Sequence, residues 1–179
     1  MDTFVKIHSL NGFAATVEID EANGAGETLT HSITNSNMGS ADSVNVNAVA
    51  NPIVPGNRSY IKYQKIHVTA MGGSSKIDNL KIWRTTALGG AATHVTNART
   101  ATYAGALAYA TPVATAVATV DQTMPTTEPA SANLGIAASL TGSLTIAGSS
   151  DYLGHQIVTN ATDTAGATCT MSYQYDETA

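Results

Sequence analysis

The chain has 179 residues, a formal net charge of −5 and charged side chains at only 12% of its positions. This charged share is about half of the ~25% usual for soluble domains, and the 8 basic residues are scattered along the chain. A basic patch for nucleic acid or an anionic membrane surface is missing, so we expect neither partner. The abundance of Thr, Val, Ala, Gly and Asn favours strands and turns over helices.

The N-terminal part alternates polar and apolar residues in short runs. "TFVKI" and "ATVEID" precede the Gly-rich stretch "EANGAGE", and further on Leu29, His31 and Ile33 fall on one predicted strand face. The opening residues lack the apolar segment of a signal peptide, and no run is long enough for a membrane span. With a single cysteine in addition, we expect the protein to fold in a reducing cytoplasm.

The stretch "KIHVTAMGGSSKIDNLKIWR" predicts a β-hairpin, because two alternating segments flank a Gly-Gly-Ser-Ser turn. The residues expected to point into the core are Ile66, Val68 and Ala70 before the turn and Leu80 and Ile82 after it.

Residues 85–133 differ from the rest of the chain, being rich in Ala, Thr and Gly and poor in large aliphatic side chains. One strand, "TPVATAVATV", fits the pattern, and Pro125 and Pro129 indicate an open connection. We interpret this segment as an extended arm or insertion, because compact domains seldom carry so long a poorly patterned stretch.

The C-terminal part predicts a strand around Leu140, Leu144 and Ile146, then a terminal hairpin formed by "SDYLGHQIVTN" and "ATCTMSYQYDE". In the last strand the inward face would carry Cys169, Met171, Tyr173 and Tyr175. About eight short strands separated by turn signals indicate one all-β domain over residues 1–179, a β-sandwich of immunoglobulin-like or jelly-roll type carrying the long Ala/Thr-rich arm.

Candidate metal ligands are present but dispersed. The histidines occupy separate strands or loops and lack the close pairing of zinc ligands, so we expect no metal site from them: His8, His31, His67, His94 and His155. Calcium is the alternative for the acidic stretch at residues 18–27, although its spacing matches no EF-hand loop and an acidic turn explains it equally. We expect no cofactor.

No catalytic residues are predicted. Cys169 alternates with inward residues, which favours a buried thiol over a nucleophile, and the chain has no G-x-S-x-G elbow or phosphate-binding loop. We expect the protein not to be an enzyme.

Aromatic and arginine side chains in the middle of the chain are candidates for a partner interface, since Tyr, Trp and Arg are enriched at binding hot spots. The predicted interface residues are Trp83, Arg84, Arg99, Tyr103 and Tyr109. For Trp83 the alternative is that the ring fills the core.

Three stretches carry a family resemblance: "SITNSNMGSADSVNV", "GNRSYIKYQKIHVTAMGGSSKIDNLKIW" and "SDYLGHQIVTNATDTAGATCTMSYQYDE". In pattern they resemble the β-sandwich structural proteins of tailed-bacteriophage particles, particularly those that decorate or cement capsids. The resemblance implies a non-enzymatic virion protein, assembled in the host cytoplasm, that binds the major capsid protein on the outer capsid surface and stabilises the shell. It also implies a homo-oligomer, with a trimer favoured.

Two alternatives remain open at this stage. The protein could be a neck, tail or fibre component of the same kind of particle, or a receptor- or carbohydrate-binding module with an exposed aromatic platform at Trp83 or Tyr103.

Overall fold

The structure is a computed structural model that describes residues 2–23, 28–43, 45–88, 90, 92–100, 122–164, 166 and 168–179, with the backbone alone at residues 2–6, 10, 23, 96–100 and 122. This part of the chain is all-β and contains no helix. Its strands are β1 Asp2–Leu10, β2 Thr16–Asn23, β3 Leu29–Thr30, β4 Asn35–Asn37, β5 Lys62–Ala70, β6 Lys76–Arg84, β7 Thr93–Thr100, β8 Gln122–Thr123, β9 Gly148–Ser149, β10 Tyr152–Val158 and β11 Thr168–Thr178.

The strands form two sheets. A four-stranded sheet has the order β4-β1-β11-β6, and a seven-stranded sheet has the order β3-β2-β5-β10-β7-β8, with β9 paired to β5. The first and last long strands, β1 and β11, run parallel in the four-stranded sheet, whereas every other pairing is antiparallel.

One hydrophobic cluster joins the two sheets. Ile66 and Leu153 contribute from the seven-stranded sheet, and Leu80, Ile82 and Met171 from the four-stranded sheet. All five side chains are at most 1% exposed. The inward residues predicted for the last strand, Cys169, Met171, Tyr173 and Tyr175, all belong to hydrophobic clusters, although Ser172 and Gln174 on the other face are buried too.

The two predicted hairpins are wrong, because in each case the two strands lie in different sheets. β5 pairs with β2, β9 and β10, while β6 pairs with β11, so the Gly72-Gly73 turn carries the chain from one sheet to the other. The proposed terminal hairpin likewise separates, with β10 in the seven-stranded sheet and β11 in the four-stranded sheet. Alternation and a turn signal specify two strands and a reversal, but they do not specify which edge each strand joins.

The turn between β5 and β6 shows why glycine is required. Gly72 has φ +58, and a Cβ atom there would lie 2.2 Å from the carbonyl oxygen of Ala14. The turn therefore packs against the connection between β1 and β2, and Gly73 N–H donates to the carbonyl of Phe13 at 2.8 Å. Two chain crossings between the sheets meet at this end of the molecule.

Two apolar residues of predicted strands, Ala70, which was expected to point inward, and Ile146, are exposed. Ala70 is the last residue of β5 and is exposed, and Ile146 is 73% exposed. The predicted strand around Leu144 is largely a series of turns, in which Leu144 forms one isolated bridge to Ile77. Alternation over this glycine- and serine-rich stretch was an unreliable indicator of a strand.

The predicted arm, residues 85–133, is anchored in the sheets at both ends. Residues 93–100 form β7, which pairs with β10, and β8 pairs with β7. Met124 is 1% exposed within the main cluster, whereas residues 126–128, 130 and 131 are exposed and in no strand, so the stretch around Pro125 and Pro129 is an irregular connection that begins next to the core. The predicted strand at 111–120 lies outside the described residues.

Asn133 completes the outer edge of β6. Its side-chain oxygen accepts from the Ile82 N–H at 2.8 Å, and its side-chain NH2 donates to the Ile82 carbonyl at 2.8 Å. One amide side chain thus replaces a neighbouring strand at this position. Pairing the edge in this way satisfies buried backbone groups that would otherwise be costly to leave unbonded.

Glu177 of β11 holds the two inter-sheet crossings together. Its carboxylate accepts from the Phe13 N–H at 2.9 Å, from the Ala15 N–H at 3.3 Å, from the Ser9 hydroxyl at 2.6 Å and from the Ser74 hydroxyl. Burial alone raises the pKa of Glu177, but these hydrogen bonds outweigh it and the pKa lies below its usual value. The ionised carboxylate is therefore the stabilised form.

Candidate functional site

Two carboxylates and two histidines meet on the seven-stranded sheet, on the face turned away from the core. Glu18 and Asp20 alternate along β2 with the core residue Ile19, so both project to the opposite face. His67 of β5 is the direct cross-strand partner of Glu18, and His31 follows β3. We call Glu18, Asp20, His31 and His67 the outer-face cluster.

The Nδ1 atoms of both histidines point at the same pair of carboxylates. His67 Nδ1 lies 3.0 Å from Glu18 Oε1 and 3.1 Å from Asp20 Oδ2. His31 Nδ1 lies 2.9 Å from Asp20 Oδ1 and 3.6 Å from Glu18 Oε1. The four donor atoms all lie within 4.8 Å of one another.

Burial within the cluster is graded. The Asp20 side chain is 0% exposed, those of Glu18 and His67 are 20% and 30% exposed, and that of His31 is 57% exposed. The cluster therefore has a closed floor at Asp20 and a side open to solvent at His31.

Ser32 brings the chain after β3 onto the cluster. Its hydroxyl donates to Glu18, and this hydrogen bond, working against partial burial, lowers the pKa of Glu18, with His67 contributing further. In a regular strand neighbouring side chains point to opposite faces. Here His31 and Ser32 both contact outer-face carboxylates, at the point where Ser32 has φ 52. The predicted strand through Ile33 ends for this reason at Thr30.

A second set of polar groups is buried between the sheets. Gln64 Nε2 donates to Glu21 Oε2 at 2.6 Å, and the Tyr173 hydroxyl of the opposite sheet donates to Gln64 Oε1. Lys62 Nζ lies 3.7 Å from Glu21 Oε1 and donates to the Ser43 carbonyl. Burial lowers the pKa of Lys62 against the attraction of nearby carboxylates, and burial with the charge of Glu21 raises that of Tyr173 well above its usual range.

His94 and His155 belong to the same set of polar groups buried between the sheets. His94 Nε2 lies 2.9 Å from His155 Nδ1, and both side chains are 0% exposed. Burial lowers the pKa of His155 to about 3, with the charge of Lys62 acting in the same direction. Burial, His155 and Arg84 together hold the pKa of His94 well below its usual value. Both rings are therefore neutral at physiological pH.

Of the five residues predicted for an interface, the structure describes the side chains of Trp83 and Arg84, and both are largely buried within this chain. Trp83 is 8% exposed with its ring stacked on His8 at a centroid distance of 6.0 Å, and Arg84 is 9% exposed. The side chain of Arg99 and the whole of Tyr103 and Tyr109 lie outside the described residues. The Trp83 ring is buried against His8, while its neighbour Ile82 in β6 contributes to the main hydrophobic cluster.

The outer-face cluster was missed in the sequence because its members come from three separate segments. The pattern Glu18-x-Asp20 does indicate two carboxylates on one strand face. The pairing of β2 with β5, which places His67 beside Glu18, has no local sequence signal. His31 and His67 are 36 positions apart in the sequence, and only the folded chain brings them to the same pair of carboxylates.

Comparison of the chain with protein-family models, with curated proteins and with solved structures finds no match. In the described part of the chain, no helix has the length and apolar character needed to cross a membrane.

Proposed function

We propose that this chain is a non-enzymatic structural protein of a tailed-bacteriophage particle, which binds the outer surface of the capsid and reinforces it. The observation that carries the proposal is where the three stretches of resemblance lie in the fold. They contain β4, β5, β6, β10 and β11. These include the inner strand β11 of one sheet and the inner strands β5 and β10 of the other. The resemblance thus concerns the framework that joins both sheets, which we propose to be an immunoglobulin-like or jelly-roll β-sandwich.

The distribution of shifted pKa values supports a structural role. Strongly shifted groups often mark active sites when they line a cleft. Here His94, His155 and Tyr173 are fully buried between the sheets, where a dissolved substrate does not reach them. Their hydrogen bonds connect strands to one another, as expected of groups that specify the packing of a fold.

The long loop between β4 and β5 offers a surface for contact with the capsid. Val49 is 93% exposed and Val54 is 57% exposed. Residues 47–50 of this loop form a local turn, in which the Asn47 side chain accepts from the N–H groups of Val49 and Ala50, each at 3.1 Å. Exposed apolar side chains such as these would be removed from water in a contact with the capsid, which favours association.

The proposed partner is the major capsid protein, and the proposed assembly is a homo-oligomer, with a trimer favoured by the symmetry of capsid surfaces. Such a protein would act by burying apolar surface across the junctions between capsid subunits. Residues 101–121, which connect β7 to β8 in the sequence, are the other segment that we propose to contact neighbouring subunits.

Quantitative mass spectrometry of purified particles tests the proposal. We expect a copy number comparable to that of the major capsid protein, and a lower disruption temperature for particles that lack this chain. A handful of copies per particle would overturn the decoration role and favour a neck, tail or fibre position. Glycan binding abolished by Trp83→Ala would instead favour the receptor-binding alternative, which requires an exposed ring.

A further inference from the structure

We propose that the outer-face cluster is a binding site for a divalent transition-metal ion of the Zn2+ type, with Glu18, Asp20, His31 and His67 as its four protein ligands. This inference is independent of the proposed capsid role. It rests on the convergence of the donor atoms, on the type of donor and on one buried oxygen that the protein itself leaves without a hydrogen bond.

The spacing of the donor atoms suits a metal ion. Ligand atoms held about 2.0–2.2 Å from a tetrahedral Zn2+ lie roughly 3.3 Å from one another. The nitrogen–oxygen separations in the cluster are 2.9, 3.0, 3.1 and 3.6 Å. Because all four donor atoms lie within 4.8 Å of one another, an ion placed among them would draw the farthest pair together by up to about 1.5 Å.

The orphaned oxygen is the second observation. Asp20 is fully buried, and its Oδ2 atom has no hydrogen-bond partner although His67 Nδ1 lies 3.1 Å away. One imidazole Nδ1 carries at most one proton, and the geometry directs that of His67 to Glu18. A buried carboxylate oxygen without a partner is costly. A cation at the centre would satisfy Asp20 Oδ2 and all the other donors at once.

The donor types select the class of metal. Imidazole nitrogen suits Zn2+ and its neighbours in the first transition row, whereas Mg2+ and Ca2+ prefer sites made of oxygen alone. Two nitrogens and two carboxylates complete a four-coordinate site, the number typical of a structural zinc. The bound ion would fasten the chain after β3 to β2 and β5, which carry the other ligands.

The test is isothermal titration of the full-length, chelator-treated protein with ZnCl2, with His31→Ala as the main variant. His31 is the most exposed ligand, so its replacement leaves the core intact. His8→Ala is the matched control, because His8 is also an exposed histidine but lies on the other sheet. We expect one Zn2+ per chain for the wild type and for His8→Ala, and an affinity reduced at least about tenfold for His31→Ala.

Two further readouts check that the ion is held by these side chains. Co2+ bound in place of Zn2+ should give the visible ligand-field bands of a tetrahedral site in the wild type and lose them in His31→Ala. Zn2+ should also raise the melting temperature of the wild type more than that of His31→Ala, because only the folded state assembles the ligands. Absence of saturable Zn2+ binding, equal affinity in the wild type and His31→Ala, or an equal loss in His8→Ala would each overturn the proposal.

Discussion

His94 and His155 lie in contact between the two sheets, with Nε2 of the first 2.9 Å from Nδ1 of the second. Neither ring reaches solvent, and the positive charges of Arg84 and Lys62 lower the pKa values of His94 and His155, respectively. Protonation of either ring would place a new positive charge in the interior beside these groups. The pair therefore makes the fold sensitive to acid.

Acidification should destabilise the protein well before its carboxylates titrate. The pKa of His155 falls from 6.5 in the unfolded chain to about 3 in the fold, so the unfolded state binds more protons as the pH drops below 6.5. The stabilisation by the neutral ring is complete above pH 6.5 and is lost between pH 6.5 and pH 3. Each such histidine lowers the free energy of unfolding by up to about 1.4 kcal/mol per pH unit.

Urea denaturation measured between pH 7 and pH 5 checks this expectation. Glu18 and Glu177 have pKa values lowered from 4.5, so their contributions are lost only at lower pH and do not affect this window. His155→Gln removes one titrating ring and should reduce the slope relative to the wild type. A stability that is flat or rises on acidification would contradict the buried, neutral pair.

Lys62→Met should be strongly destabilising, because it leaves the carboxylate of Glu21 buried without its cation. Lys62 and Glu21 are 1% and 0% exposed. Removing one partner of a buried ion pair typically costs about 3–5 kcal/mol. The double variant Glu21→Gln/Lys62→Met should recover part of this loss, since it removes the unpaired charge. Chemical denaturation of the wild type, Lys62→Met, Glu21→Gln and the double variant gives the coupling free energy.

The surface pair Lys76–Asp78 provides the control for this cycle. Its side chains are 42% and 28% exposed, with the charged atoms 2.8 Å apart. Lys76→Met should change the free energy of unfolding by less than about 1 kcal/mol, because solvent screens exposed pairs. A comparable cost for Lys76→Met and Lys62→Met would show that burial does not govern the cost of removing these lysines.

Glu177→Ala should loosen the end of the molecule where the two crossings meet. The substitution leaves the N–H groups of Phe13 and Ala15 without their acceptor, with an expected cost of at least about 2 kcal/mol. Hydrogen exchange should accelerate at these two amides more than in the central strands. Thr178→Ala, at the exposed neighbouring position, is the control and should leave both amides protected. Unchanged exchange at Phe13 in Glu177→Ala would contradict this role.

Asn133→Ala should expose the edge of β6. It removes both hydrogen bonds to the Ile82 backbone, and a buried amide left unbonded costs about 1–3 kcal/mol. Asn133→Asp retains the acceptor for the Ile82 N–H but loses the donor to its carbonyl, so we expect it also to destabilise the fold. The exposed residue Ser131 supplies the control variant Ser131→Ala. Equal melting temperatures for Asn133→Ala and Ser131→Ala would refute the edge-capping role.

The sequence by itself determined the all-β class and much of the local burial pattern. Composition excluded helices as the main element, and period-two alternation located the core-facing residues of β11 and the inward residues Ile66, Val68, Leu80 and Ile82. These features could be predicted because they depend on each residue and its near neighbours. The same reasoning failed at Ile146, where short apolar residues alternate by chance among turn formers.

Only the tertiary structure decided which strands pair. The turn at Gly72 and Gly73 connects two sheets rather than two hydrogen-bonded strands, because the backbone hydrogen bonds of β5 are made with β2, β9 and β10. That pairing places His67 beside Glu18, and the positive φ at Ser32 brings His31 to Asp20. Such contacts join residues far apart in sequence, so they arise from the closing of the whole core and leave no local pattern to read. The outer-face cluster is for this reason a property of the fold.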